Sequence, residues 1–148
     1  MSGEFARAAD KMKVFMAELD ASERRQWSDY SKAPWQGVYV LYENGEPTYV
    51  GRSNKMRDRI RRHGADSSDR HGATFAFKLL KRSLGESALT DPEIEQRHGQ
   101  EFRKRRETVR GMTFQAVAIE DQLEQTLFEV YAILEKRTYP HHNDFKTH

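Results

Sequence analysis

The feature that most constrains the fold is Asn44-Gly45, which separates two short segments rich in β-branched and aromatic residues. The segments are GVYVLYE, residues 37–43, and EPTYVG, residues 46–51. Asn and Gly adopt the left-handed backbone conformation at low cost, and tight hairpin turns require it. The pattern therefore predicts an antiparallel β-hairpin near the middle of the chain.

Outside this hairpin, the spacing of apolar residues predicts helices and one more strand. Residues 4–19 carry apolar side chains at helical spacing, and a second short helix is predicted from about residue 20 to residue 30. Further helices are predicted over 54–63, 74–84, 92–110 and 123–134, with a third strand over 112–120. This order predicts an α+β fold with a small, mostly antiparallel three-stranded sheet flanked by helices.

The length of 148 residues favours one domain. We expect residues 1–35 to form an N-terminal helical extension packed on a core of residues 36–148. The strongly charged segment near 92–110 is predicted to be a helical insertion in that core.

Composition excludes several classes of protein. The chain has no cysteine, so disulfide frameworks and thiolate metal sites are excluded. No stretch has the pattern of a signal peptide or of a membrane span, so we expect a cytoplasmic protein without a membrane partner. Twenty-five basic and 23 acidic residues give a net charge of +2, too mild to indicate nucleic-acid binding without regard to where the charge lies.

An ordered set of residues carries the functional signal. Gly37-Val38-Tyr39 is followed ten residues later by Tyr49-Val50-Gly51, and ten residues further on by Arg59. The set resembles the GIY-YIG nuclease family, with valine in place of isoleucine in both motifs. The resemblance runs from about Gln36 to the C-terminus, leaves residues 92–110 outside the core pattern, and assigns site positions to Tyr39, Tyr49, Arg59, His63, Glu129 and Asn143.

The resemblance implies a metal-dependent endonuclease that hydrolyses phosphodiester bonds in DNA. Glu129 is implied to hold one divalent cation, Mg²⁺ or Mn²⁺, and Arg59 to stabilise the charged phosphate. Tyr39 is implied to help activate the attacking water, and Asn143 to brace the backbone or lie near the phosphate. One carboxylate fits a one-metal site, because Mg²⁺ commonly takes one or two carboxylates with water and phosphate. Glu124 is the competing carboxylate in the same predicted helix.

The identity of the general base stays open between Tyr39 and His63. A phenol with a pKa of about 10 is ionised in roughly one molecule in a thousand at pH 7, so using it as a base costs about 4 kcal/mol. Tyr39 could be activated by neighbouring cations. Alternatively, it could relay a proton to His63, which lies one turn after Arg59, as in some restriction enzymes of the family.

The turn decides whether both tyrosines lie on one face of the sheet. A two-residue loop at 44–45 without a compensating bulge would project Tyr39 and Tyr49 from opposite faces. A three-residue loop at 43–45, with Gly45 as a left-handed bulge residue, places Tyr39 directly opposite Tyr49. We predict the three-residue loop.

The predicted partner is nucleic acid, most simply double-stranded DNA. A catalytically silent nucleic-acid-binding module, or a nuclease of RNA or single-stranded DNA with Trp27, Trp35 and Phe145 as base-stacking candidates, is the alternative. The basic cluster within 103–110 either contacts flanking DNA or is simply solvated. A homodimer is one way to cut both strands. The residues predicted to contact phosphates around the site are Lys55, Arg57, Arg61 and Arg62.

Overall fold

The computed structural model describes residues 3–138 and Asn143. In this part of the chain, helices surround a small sheet, and the predicted α+β class is confirmed. The helices are α1, Glu4–Asp10; α2, Met12–Ala21; α3, Met56–Gly64; α4, Thr74–Leu84; α5, Asp91–Arg97; α6, Gly99–Arg110; and α7, Gln122–Glu135; a 3-10 helix spans Trp27–Lys32. The strands are β1, Arg25–Gln26; β2, Gly37–Glu43; β3, Glu46–Ser53; and β4, Thr113–Ala118.

The described residues form a sheet of four strands rather than the predicted three. The strand order is β1-β4-β2-β3, and every neighbouring pair is antiparallel. The additional strand, β1, consists of Arg25 and Gln26 paired with β4. Two residues are too few to show an alternating pattern, so the sequence gives no signal for them. The N-terminal 35 residues therefore contribute to the sheet as well as covering it.

The hairpin turn differs from the prediction. Asn44 and Gly45 have φ values of 52° and 82°, and Glu43 pairs with Glu46 across a two-residue turn. Positive φ at both central residues matches the twist of the strands, which is why Asn-Gly favours this turn. The predicted three-residue loop is therefore wrong.

A bulge in β3 compensates for the shorter turn. Tyr42 pairs with Pro47, whereas Leu41 pairs with Tyr49, so Thr48 is the extra residue. The hydroxyl of Thr48 donates to the carbonyl of Leu41 at 3.0 Å, which stabilises the irregularity. The bulge shifts the register by one residue and so reverses which side chains of β3 face each side of the sheet.

The two faces of the sheet support separate apolar clusters. Tyr39 and Leu41 point to the side covered by α3, α4 and α6. Val38 and Val40 point to the side covered by α2 and α7. Strict alternation along β2 thus divides the core into two layers, with the sheet between them.

Two predicted helices are each divided. The predicted 4–19 helix is broken at Lys11 into α1 and α2, and the predicted 92–110 helix is broken at His98 into α5 and α6. Thr90 and Glu93 form a reciprocal capping box at the start of α5. No helix within residues 3–138 is long and apolar enough to cross a lipid bilayer.

Candidate active site

The ring of Tyr39, on β2, lies over Gly51 of β3, where only glycine fits. Tyr39 pairs with Gly51, and a Cβ atom placed on Gly51 would lie 2.4 Å from the Cζ and Oη atoms of Tyr39. Tyr49 pairs with Leu41 and therefore shares the face of Tyr39 as a diagonal neighbour. The shared face that the sequence predicted is present, although the two tyrosines are not directly opposite each other.

His63 meets the Tyr39 phenol inside the core. Met56, Ile60 and His63 form one buried stripe of α3, which docks the helix on this face of the sheet. The Oη of Tyr39 lies 2.6 Å from Nε2 of His63. His63 is fully buried, and its Nδ1 has no hydrogen-bond partner within the described part of the chain. A polar ring therefore occupies a position that packing alone would give to an apolar residue.

Tyr49 completes the aromatic enclosure of His63. The two rings make an edge contact with centroids 5.4 Å apart, and Tyr49 stacks on Phe75 of α4 at 4.7 Å. These contacts restrict the rotation of both rings.

Burial keeps both members of the Tyr39–His63 pair neutral. Burial, followed by the charges of Arg59 and Arg62, holds the pKa of His63 well below its ordinary value. Burial raises the pKa of Tyr39 well above its ordinary value; Tyr49 adds to this effect, and Arg59 opposes it. Near pH 7 the site therefore contains a phenol and a neutral imidazole.

Arg59 is anchored to the loop between α3 and α4. Its Nη1 donates to the carbonyls of His71 and Gly72 at 3.2 Å and 3.0 Å, and its Nη2 donates to the hydroxyl of Thr74 at 2.7 Å. Arg59 also lies close enough to Tyr39 for its charge to lower the pKa of the phenol. A guanidinium has five N–H donors, so three anchoring bonds fix its direction and leave donors for a further ligand.

Glu129 approaches the site from α7, on the other side of the sheet. Its side chain is 27% exposed, and Oε1 lies 3.7 Å from Nε of Arg52. Burial raises the pKa of Glu129, and Arg52 partly opposes that rise. Its charge reaches Tyr39, whose pKa it raises. The competing carboxylate, Glu124, instead forms an ion pair with Lys11 at 2.6 Å.

Sequence reasoning missed Arg52 and Gln125. Nη1 of Arg52 donates to Oε1 of Gln125 at 3.1 Å, and the fully buried Gln125 donates to Asn54 and to the carbonyl of Ile119. Gln125 precedes Glu129 by one helical turn, so it holds Arg52 beside that carboxylate. The only available sequence signal was a polar Gln at a core-facing position of an amphipathic helix.

Asn143 braces the backbone of β3. Its Oδ1 accepts from the amide of Val50, and its Nδ2 donates to the carbonyl of Val50, both at 2.9 Å. These bonds satisfy backbone groups at the outer edge of the sheet, as a further strand would. Of the two expected roles, the structure places Asn143 in the bracing one.

The basic residues predicted to contact phosphates lie along and beside α3, but not all are equally available. Lys55 and Arg57 are exposed, although Nε of Arg57 donates to the carbonyl of Ala33 at 2.7 Å. Arg61 pairs with Asp58 at 2.7 Å, and Arg62 lies against the 65–73 loop near Gly72. Of the four basic residues, Lys55 and Arg57 are therefore the more accessible to a phosphate, and Arg61 already has a carboxylate partner.

The donor set suits a loosely held divalent cation. Within residues 3–138 and Asn143, no three His, Cys, Asp or Glu side chains form a group that could hold a metal ion. Glu129 is a single carboxylate near the phenol, and Mg²⁺ often relies on one protein carboxylate with water and substrate phosphate. A single carboxylate is compatible with that mode of binding, and the described residues include no ligand set for a structural zinc site.

Comparison of the chain with known protein families, curated proteins and solved structures found no match. Function is therefore inferred from the residues and the geometry of this site.

Proposed function

We propose that this protein is a metal-dependent endonuclease of the GIY-YIG type that hydrolyses phosphodiester bonds in DNA. The observation that carries the proposal is the buried contact of 2.6 Å between Tyr39 and His63, with Arg59 beside the phenol and Glu129 within electrostatic range. A stabilised core does not need this pair, because an apolar ring at position 63 would avoid an unpartnered nitrogen.

In this proposal Tyr39 relays a proton rather than acting as a preformed phenolate. As the phenolic oxygen takes a proton from the attacking water, its own proton passes to Nε2 of His63. The relay requires the tautomer in which Nδ1 of His63 carries the hydrogen. The raised pKa of Tyr39 opposes formation of a standing phenolate, and the 2.6 Å contact gives its proton a direct path to Nε2 of His63, so the contact supports the relay of the two assignments. The lowered pKa of His63 keeps the imidazole unprotonated near pH 7 and also makes it a weaker base, so proton transfer to it has to be concerted with loss of the proton from water.

Arg59 and Glu129 have the two electrostatic roles. The anchors at residues 71–74 hold Arg59 in a fixed direction, so its remaining donors can bind a phosphate without reorganisation. Glu129 would hold the Mg²⁺ or Mn²⁺ ion, and Arg52 favours its ionised form despite burial. When bound, such a cation neutralises charge that develops on the phosphate.

Double-stranded DNA is the proposed partner. The exposed positive charge of Lys55 and Arg57 lies at the start of the helix that carries Arg59 and His63, so it can contact phosphates flanking the reacting one. Binding should weaken steeply with salt, because each phosphate contact releases counterions. With one candidate site per chain, cutting both strands requires either a homodimer or two successive events.

The test is cleavage of plasmid and duplex oligonucleotide with Mg²⁺ or Mn²⁺. Glu129→Gln should lower the rate by at least about 100-fold, a loss of roughly 3 kcal/mol of transition-state stabilisation. Glu124→Gln is the matched control, because it removes the charge of a carboxylate in the same helix that is paired with Lys11. Cleavage by Glu129→Gln at the wild-type rate would mean that the proposed site is misassigned.

Two observations favour other functions. Arg59 is already bound to the 71–74 segment and Glu129 faces Arg52, an arrangement that a catalytically silent DNA-binding module could also have. Trp35 is 64% exposed beside the start of α3, where it could stack on an unpaired base. A panel of duplex, single-stranded DNA and RNA separates these functions: binding without cleavage under either cation favours the silent module, and cleavage restricted to single strands favours the stacking role.

A further inference from the structure

A second basic site lies at the junction of α5 and α6. A cavity of about 590 Å³ opens there, lined by the end of α5, the first turns of α6 and Asp66. None of the candidate catalytic residues lines it. The charged side chains around it are Arg97, Arg103, Arg106, Asp66 and Glu101.

Arg106 is the most unusual of these residues, because its guanidinium is largely buried and forms no direct ion pair within the described part of the chain, with only the more distant charges of Asp66 and Glu95 acting on it. It is only 9% exposed, and its guanidinium lies 4.4 Å from the centre of the Phe102 ring. Nη1 donates to the carbonyl of Ser68 at 3.1 Å, while Nε has no hydrogen-bond partner among the residues that the structure describes. A buried cation of this kind is costly unless an anion compensates for it.

The start of α6 adds a second feature that favours an anion. The helix is 12 residues long, begins at Gly99 and has no side-chain cap on its first turn. The backbone N–H groups of that turn have no partner inside the helix, and they carry the positive end of its dipole. Gly99 and Gln100 both line the cavity, so this helix end opens into it.

The cavity keeps a formal charge of +1, because Arg97, Arg103 and Arg106 line it beside two acidic residues, Asp66 and Glu101. Asp66 is engaged by Arg110 at 3.1 Å, and Glu101 lies 3.7 Å from His98. Arg97 and Arg103 form no ion pair within the described part of the chain. A tetrahedral anion with several acceptor oxygens therefore matches the donors that line the cavity.

The cavity is coupled to the catalytic side by one short loop. Arg106 holds the carbonyl of Ser68, and Arg59 holds the carbonyl of Gly72. Four residues span at most about 14 Å, so the two guanidiniums lie within roughly 20 Å of each other. With a rise of 3.4 Å per nucleotide along each strand, this upper limit corresponds to at most about six nucleotides.

We propose that the α5–α6 cavity binds a backbone phosphate of the same nucleic acid that occupies the catalytic site. This inference rests on the proposed function for the identity of the partner. The cavity fixes the position of the strand a few nucleotides from the reacting bond, and the charged helical insertion thereby contacts the flanking nucleic acid through specific arginines.

The experiment compares two double variants of the full chain. Arg97→Ala with Arg103→Ala removes two cavity cations. Lys104→Ala with Arg105→Ala removes the same charge from α6 at positions that do not line the cavity. Affinity for a 20-base-pair duplex is measured without divalent cations at several salt concentrations. The cavity variant should bind at least about tenfold more weakly, and its salt slope should fall by about one to two, whereas the control slope should change by less than one.

A second measurement reports the site directly. Addition of the duplex to the wild-type protein should shift the NMR signals of the Gly99 and Gln100 amides and of the Arg106 Nε–H. Equal losses of affinity in the two double variants, absent shifts at these signals, or a wild-type protein without affinity for the duplex would each overturn the inference. A wild-type protein that binds through the cavity but never cleaves would contradict the nuclease proposal alone. If the wild-type protein cleaves DNA but the two double variants lose the same affinity, only the proposal for the cavity would be contradicted.

Discussion

Two tyrosines on β2, three residues apart, are equally buried but have different polar surroundings. Tyr39 and Tyr42 are 1% and 2% exposed and point to opposite faces of the sheet. The Tyr42 hydroxyl donates to Oε1 of Gln115 at 2.6 Å, and Nε2 of Gln115 donates to the carbonyls of Asp20 and Ser22. These hydrogen bonds lead from the phenol through Gln115 to two backbone carbonyls. Buried polar groups in a stable core normally have partners of this kind.

The Tyr39 chain ends differently. It reaches His63, whose Nδ1 has no partner among the described residues, and it lies close to Arg59 and Glu129. An unsatisfied buried polar group costs about 1–3 kcal/mol of stability. The two phenols therefore differ in what lies beyond their first partner and not in burial or hydrogen-bond length: satisfied backbone carbonyls follow Tyr42, whereas an unpartnered nitrogen and two charged side chains surround Tyr39.

The largest expected effect is the difference in cleavage rate between two single variants, Tyr39→Phe and Tyr42→Phe, each of which removes one hydroxyl. Tyr39→Phe should lower the cleavage rate by about 10²- to 10⁴-fold, because the proton relay is lost. Tyr42→Phe should leave the rate within about threefold while costing about 1–2 kcal/mol of unfolding free energy, because Gln115 loses a partner. Single-turnover cleavage and denaturant unfolding measure the two effects. Equal cleavage rates in the two variants would remove the distinction between the phenols.

The next largest effect should come from filling the space between Gly51 and the Tyr39 ring. Gly51→Ala places a methyl group where the Tyr39 ring lies, so we expect a cost of about 1–3 kcal/mol in stability. The displaced phenol should also lower the cleavage rate by at least about tenfold. Gly111→Ala is the control, because its nearest neighbour is the Thr108 carbonyl at 3.4 Å. The same measurements apply, and a Gly51→Ala protein with full activity would contradict the assigned position of Tyr39.

A smaller effect should follow from loosening Arg59. Thr74→Val removes the hydroxyl that accepts from Nη2 while keeping the shape of the side chain. Loss of one such bond is worth about 0.5–1.5 kcal/mol, so cleavage should slow by about two- to tenfold. Thr108→Val is the matched control, because its hydroxyl donates to the Lys104 carbonyl within α6 and, among the described residues, has no bond to Arg59. Identical rates for the two variants would show that the anchor does not orient Arg59 for the reaction.

A further expected effect is on stability as a function of pH and not on the cleavage rate. The unfolded imidazole binds a proton near pH 6.5, whereas the folded His63 binds one only at a lower pH. The free energy of unfolding should therefore fall as pH drops below about 6.5, by up to about 1.4 kcal/mol per pH unit until the folded pKa is reached. His63→Gln should flatten this dependence. An unchanged slope in His63→Gln would mean that His63 titrates normally.

The hairpin shows how far sequence reasoning could go. The Asn44-Gly45 signal predicted the turn, because the conformational preference of those two residues is local. The register depended on the bulge at Thr48, which is stabilised by a hydrogen bond to the carbonyl of Leu41. No local sequence pattern predicts the position of that bulge. The shared face of the tyrosines was thus predicted correctly through a turn that was wrong.

The candidate site divides in the same way. Tyr39 and His63 were expected in one site from the family resemblance, whereas helical spacing alone grouped His63 with Arg59. The structure instead places His63 on the buried stripe of Met56 and Ile60. The anchoring of Arg59 and the Arg52–Gln125 contact depend on segments that are distant in sequence and meet only through packing. The two-residue strand at Arg25 exists only because β4 lies beside it.

The central claim is that a neutral imidazole faces Tyr39 and can take its proton. NMR of protein labelled with ¹⁵N-histidine reports the charge and the tautomer of His63 at pH 7. The account predicts a neutral ring with hydrogen on Nδ1 and an unprotonated Nε2 that accepts from Tyr39. A doubly protonated His63, or one with its single hydrogen on Nε2, would contradict it.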